Sequence, residues 1–331
     1  MNRPYRELFD NLSAPDRLRQ EVWDLTTQER KARKAQFFPR KALIAAAAVA
    51  VLAATAVAAN LGGVRDFFAA QWQQETGREI STNQLGLIDQ LTQKIGVSDT
   101  DQGVTITLDS VTRGEGVLWL LLKIHGCDPY TDFHATVSMD FSPELETAGF
   151  AYSFEEAALQ EDGTQMVLLR YVPPLTGEKT FLSAYDVTLY LEDLRWHGTT
   201  AESGHWELRF SLDEMEPPNM LTLSRDLIVE AIPLEDPSEP VAVVFKNARI
   251  TPTEIWLTRD RAETELRESS SWELQMKDGS TITHNGGASY DLPDGSVESV
   301  YYWRVPIDLS QVAALRYRDT VIPVQEQEEL P

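Results

Sequence analysis

The stretch GVTITLDSVTRGEGVLWLLLKI, residues 103–124, decides how this chain folds. Val104, Ile106 and Leu108 alternate with Thr105, Thr107 and Asp109, the period of two that sets apolar side chains on one face of a β-strand. Arg113, Gly114 and Glu115 turn the chain, and 117–124 is the return strand. Further strands are predicted over 166–172, 187–191, 206–212, 241–245, 254–257, 272–276 and 300–305, with turns such as Asp278-Gly279 and Asp294-Gly295 between them. Many short strands with turns between them point to antiparallel sandwiches rather than a parallel sheet. The acids and paired prolines of 213–219 read as a linker, which gives two β-sandwich-like domains, at 100–213 and 220–325, without an internal repeat.

Upstream, Leu87, Ile88, Leu91 and Ile95 fall at helical spacing in an otherwise polar segment that Gly96 ends. Residues 65–99 are therefore expected to form a helical stalk or the first cap of the β part. In 42–59 the single polar residue is Thr55, and an α-helix of that length covers about 27 Å; extended to Val64 it covers about 34 Å, against a hydrocarbon core of about 30 Å. A transmembrane helix over 42–64 is the expectation. Lys31, Arg33, Lys34, Arg40 and Lys41 precede it while Arg65 and Arg78 follow, so the N-terminus is expected in the cytoplasm of a single-pass cell-membrane protein and the C-terminal domains outside it. Phe37 and Phe38 on one side, and Phe67, Phe68 and Trp72 on the other, would be interfacial anchors. Two other readings of the segment are a secretory signal cleaved after Ala56-Val57-Ala58 and an alanine-rich core helix. The expected fold class is thus a mainly β ectodomain with a short N-terminal cytoplasmic helix and one transmembrane helix.

Charge divides the chain in the same place. Residues 1–41 hold 10 Lys+Arg and 6 Asp+Glu, 42–64 hold none, and the remainder holds 19 and 46, so a +4 tail precedes a −27 body. A body of that sign repels phosphates, which excludes nucleic acid as its partner. In the tail, Ser13 and Pro15 start a helix whose Leu18, Val22 and Leu25 share a face with Trp23 beside them. That face is too small for a core. It is read as a docking stripe for a cytoplasmic partner, a surface lying on the bilayer, or a solvated helix without function.

The single cysteine, Cys127, rules out an internal disulfide framework. His125 and Cys127 lie two apart on a strand near Asp128 and His134, but a lone cysteine is more often a packed small hydrophobe than a zinc ligand. Asp99, Asp101 and Gly103 are a fragment of a calcium loop without the rest of it, and read as a turn. Glu155 and Glu156 are adjacent, which does not set two carboxyls across a substrate. No nucleophile elbow, phosphate loop, metal-ligand helix or dinucleotide fingerprint occurs, so neither catalysis nor a cofactor or metal is expected. Trp119, Trp196, Trp206, Trp256, Trp272 and Trp303 sit in strand patterns and read as core.

Four stretches together resemble a known family: YRELFDNLSAPDRLRQEV (5–22), RKALIAAAAVAVLAATAVAA (40–59), GVTITLDSV (103–111) and PIDLSQVAALRYRDTVIPV (306–324). They resemble bacterial anti-sigma-factor-like membrane proteins whose outer part is a domain of unknown function followed by an immunoglobulin-like β domain. The resemblance implies a signalling regulator whose tail binds a sigma factor, through Leu18, Val22, Trp23 and Leu25, until the outer part meets its ligand. The chain lacks the His and Cys zinc motif of better-known anti-sigma proteins. The alternative is a membrane-anchored envelope binding or adhesion protein whose tail has no signalling role.

Overall fold

The structure is a computed structural model. It describes residues 63–324 apart from 128–132, 148–150, 174, 176–179, 197–198, 224–225, 232–240, 262–271, 293 and 319. The tail helix with Leu18, Val22, Trp23 and Leu25, and the topology residues Arg40 and Lys41, lie outside the described residues.

The hairpin of 103–124 forms as β2 (Val104–Arg113) and β3 (Leu118–His125), paired antiparallel with Leu108 opposite Leu122. With β1 (Thr92–Asp101), β5 (Tyr152–Leu159) and β6 (Gln165–Tyr171) they build a five-stranded sheet in the order β1-β2-β3-β6-β5. A three-stranded sheet, β4-β7-β8, joins β4 (Phe133–Ser142), β7 (Tyr185–Trp196) and β8 (Thr199–Leu212). Nine strands form the remaining sheet: β9 (Leu221–Thr222), β10 (Leu227–Ala231), β11 (Val241–Ile250), β12 (Glu254–Asp260), β13 (Trp272–Met276), β14 (Thr281–Asp291), β15 (Ser296–Trp303), β16 (Val312–Tyr317) and β17 (Thr320–Pro323). Its order is β10-β11-β12-β15-β14-β13-β16-β17, with β9 also on β11.

Why β3 reads LWLLLKIH, apolar without alternation, follows from its place. Leu118, Leu120, Leu122 and Ile124 pack into one core with Val187, Leu189, Trp206 and Leu208 of the three-stranded sheet. Trp119 and Leu121, on the opposite face, pack into a second core with Ile255, Leu257 and Trp303 of the nine-stranded sheet. Strand β6 repeats the division, with Val167 and Leu169 in the first core and Met166 and Leu168 in the second. A strand covered on both faces needs apolar side chains at every position, each worth about 1.5–3 kcal/mol on full burial. The five-stranded sheet is thus a layer that both cores share.

The nine-stranded sheet folds over on itself at β14. Residues 281–283 pair with β13, while His284 and Gly287–Asp291 pair with β15, and the register breaks between His284 and Gly287. Gly286 takes φ +88° there, and a Cβ on Gly287 would come within 2.6 Å of the Val300 carbonyl, so the bend needs glycine. The two halves meet through Phe245 and Trp272, whose rings are 5.4 Å apart.

The expected transmembrane helix is corrected by the two helices that the structure describes. Helix α1 (Val64–Thr76) has 13 residues and α2 (Thr82–Leu91) has 10, and among the described residues no helix is long and apolar enough to cross a membrane. The expected span, 42–64, lies outside the described residues apart from Gly63 and Val64. Phe67, Phe68 and Trp72, read from sequence as anchors in a membrane interface, are 4%, 0% and 7% exposed because α1 lays them on the second core, Phe68 edge-to-face with Trp119 at 5.8 Å. Aromatic rings between polar residues carry the same sequence signal whether a bilayer or a protein core receives them. Among the described residues the fold class is therefore a mainly β body with two short helices. Helix α2 starts at a Ser81 N-cap, whose hydroxyl accepts the Gln84 N–H at 3.1 Å. It ends at Leu91, four residues before Ile95, because Thr92 already belongs to β1 and bonds across to Thr112 at 2.8 Å.

Candidate functional site

Polar chemistry gathers on both sides of the turn that joins β2 to β3. The turn is closed by Gly114 N–H donating to the Val117 carbonyl at 2.8 Å. On its inner side lies Glu254, the first residue of β12, with no exposure to solvent. Glu254 Oε1 accepts the main-chain N–H groups of Glu115 at 2.8 Å and Gly116 at 3.1 Å, while Oε2 has no hydrogen-bond partner. Glu115 in turn pairs with Arg249, whose guanidinium lies 4.5 Å from the ring centre of Trp256. Burial first, and the Glu115 carboxylate second, push the Glu254 carboxyl up to about 7, against the pull of those N–H donors. Gly114 leaves no space, since a Cβ would sit 2.3 Å from Thr253 Oγ1 and 2.7 Å from Glu254 Oε2.

A second buried pair lies in the same seam. Arg170 of β6 stands 3.3 Å from Glu155 of β5, Glu155 accepts from Asn285 Nδ2 at 2.9 Å, and Arg170 donates to the Asn285 carbonyl. Burial lowers the Arg170 pKa, with Glu155 opposing. The polar groups of the bend in β14 are thereby tied to the five-stranded sheet.

The outer side of the turn is open. A cleft of about 950 Å³ is walled by α2, by residues 214–221 and by the segment 307–310, with Arg113 and Pro252 also lining it. Leu87, Leu91, Met215, Met220 and Leu309 give it apolar surface; Glu214, Glu216 and Asp308 give it negative charge. Arg113 is 2% exposed, and its Nη1 donates to the carbonyls of Asp213 at 2.5 Å and Phe181 at 3.4 Å, so the one cation of the lining is spent on protein main chain. Burial lowers its pKa, with Asp213 opposing. Asp308 Oδ1 accepts from Ser310 N at 3.0 Å and Ser310 Oγ at 2.7 Å, while its Oδ2 is buried without a partner. Such a lining has apolar contact and acceptors to offer a ligand that brings donors or positive charge.

The sequence-picked residues fall elsewhere. Cys127 is half-buried against the first core, and no group of three His, Cys, Asp or Glu fit to hold a metal occurs among the described residues. Asp99 and Asp101 do not face a cation: their Oδ2 atoms accept the main-chain N–H of Glu207 at 2.8 Å and of His205 at 2.9 Å, stapling β1 to β8. Glu155 serves the buried pair with Arg170, and the side chain of Glu156 lies outside the described residues. Trp119, Trp206, Trp256, Trp272 and Trp303 are all buried. Sequence reasoning passed over Glu254 and Arg113. The signal for Glu254 was present, as a single acid heading the run EIWL in a strand that proves buried on both faces.

No protein-family model matches the chain, and no curated protein matches it. Among solved structures, the conserved domain protein from Bacillus anthracis is similar at a TM-score of 0.46 and 10% identity, over 69% of this chain and 77% of that one. The N-terminal periplasmic domain of ScsB from Proteus mirabilis is similar at a TM-score of 0.22 and 9% identity, over 71% of this chain and all of that one.

Proposed function

We propose that the protein is a regulatory binding protein: its β body takes a polypeptide ligand in the cleft beside 214–221, and residues 1–41 engage a cytoplasmic sigma factor through Leu18, Val22, Trp23 and Leu25. The observation that carries the first half is the cleft itself, lined by apolar side chains and by the acids Glu214, Glu216 and Asp308. The second half is supported by the resemblance of 5–22 to anti-sigma-like tails, and by the apolar stripe they would present. The basic residues up to Arg40 and Lys41 support a tail on the cytoplasmic side.

Replacing Met220, 40% exposed in the cleft wall, by a photo-crosslinking residue in the full chain in living cells tests the binding half. A discrete adduct is expected at that position and none at exposed Asp294, at a turn remote in sequence; equal labelling at both, or none, removes the cleft reading. For the tail, capture of a sigma factor by the full chain should be lost in Leu18→Asp and Val22→Asp. Capture that survives both changes, or never occurs, leaves only the binding half.

A further inference from the structure

We infer that the occupant of the cleft is an extended basic peptide segment that pairs with the main chain of Glu214 and Glu216. This rests on the reading of the cleft as a polypeptide site and adds the chemistry of what enters it.

Residues 213–220 cross the cleft wall without regular structure. Glu216 and Pro217 each precede a proline, and a residue before proline is held in the β or polyproline region. In such a chain the hydrogen-bonding groups of successive residues point to opposite sides. Met215 N–H is committed to the Leu182 carbonyl at 2.8 Å. Among the described residues neither Glu214 nor Glu216 makes a main-chain hydrogen bond. Pro218 has no N–H, which ends the run of donors after Glu216. Two residues with free N–H and C=O groups side by side form a short edge onto which a strand can add, with side-chain pockets supplying selectivity.

Charge sets the sign of that selectivity. Glu214, Glu216 and Asp308 line the cleft, Asp308 with a buried unpartnered oxygen, and Arg113 is turned onto protein carbonyls. An acidic strand would meet three carboxylates; a strand alternating apolar and basic side chains would place the former on Leu87 and Met220 and the latter on the acids.

The test uses the purified full chain and fluorescent peptides of about nine residues, long enough to span about 30 Å. One alternates Val with Lys, one Val with Ser, one Val with Glu. The Lys peptide is expected to bind at least about ten-fold more tightly than the other two, and to weaken as salt rises. The double change Glu214→Lys and Glu216→Lys is expected to reverse the order, and N-methylation of alternate peptide amides to abolish binding. Amide hydrogen exchange at 214 and 216 is expected to slow on binding. Equal or tighter binding of the Ser or Glu peptide overturns the basic-segment inference while leaving a polypeptide site in place. So does Lys-peptide binding that ignores the double change and leaves exchange at 214 and 216 unaltered. Binding of none of the three removes both.

Discussion

The two sides of the 113–117 turn hold the same kinds of group and treat them in opposite ways. Inward, a glutamate is sealed from water and given two main-chain donors; Arg249 answers the neighbouring Glu115, and no void is left for even a Cβ on Gly114. Outward, three acidic residues line an open cleft whose wall leaves main-chain donors and acceptors unspent. An unpaired buried polar group costs about 1–3 kcal/mol, a demand that the inner side meets at Glu254 Oε1 and leaves open only at Oε2. Groups that water can still satisfy carry no such demand. The inner side is therefore read as structure, joining the five-stranded layer to the nine-stranded sheet, and the outer side as the place where a ligand gains most.

The inner side should break first and hardest. Gly114→Ala drives a methyl into Thr253 and Glu254, and an expected loss of about 3 kcal/mol, the upper end of what overpacking costs, follows from forcing an atom into a filled core. Chemical denaturation measures it. A loss under about 1 kcal/mol would mean that the turn and β12 separate easily, and that the inner side is not the rigid partner in the comparison.

The next effect depends on pH. Glu254 is held at about 7 in the fold against an ordinary 4.5. An acid whose folded pKa is raised gives its full stability below about pH 4.5 and loses it as the pH climbs through 7, because the folded state then has to ionise a buried carboxyl. A shift of that size corresponds to roughly 3 kcal/mol between pH 4.5 and 8. Glu254→Gln, which keeps an oxygen for the Glu115 and Gly116 N–H groups, is expected to flatten that part of the profile. An unchanged slope in the variant would place the titration elsewhere.

Legibility from sequence followed the same division. The β2–β3 hairpin was readable because alternation in 104–109 and the turn at 113–115 are local signals. So was the strand of 272–276, whose Trp272, Leu274 and Met276 alternate inward. Strand β14, with its His284-Asn285-Gly286-Gly287 bend, was not, since its pattern of exposure is broken by changing partners midway. Neither was the burial of Phe67, Phe68 and Trp72, which depends on Trp119 being presented by the far face of β3. The cleft is assembled from α2, residues 214–221 and the segment around Asp308, so no single stretch carries its signature. Glu254 was the nearest miss: an acid in an apolar strand marks either an exposed face or a buried partner, and only β3 packing behind it decides which.

The smallest effect on stability should come from the outer side, and there the comparison can be sharpened most. Met220 is 40% exposed at the cleft wall and is not a buried member of either core. Met220→Asp is expected to change unfolding free energy by under about 0.5 kcal/mol, the range of surface substitutions. In the bound state the same change sets a carboxylate where an apolar side chain of the ligand would rest, and that burial is worth about 25 cal/mol per Å². A variant that keeps its melting curve but loses the Val/Lys peptide places the two functions of the turn on separate sides. A variant that loses stability by more than about 2 kcal/mol would show the wall to be part of the core, and the open side would then be structure as well.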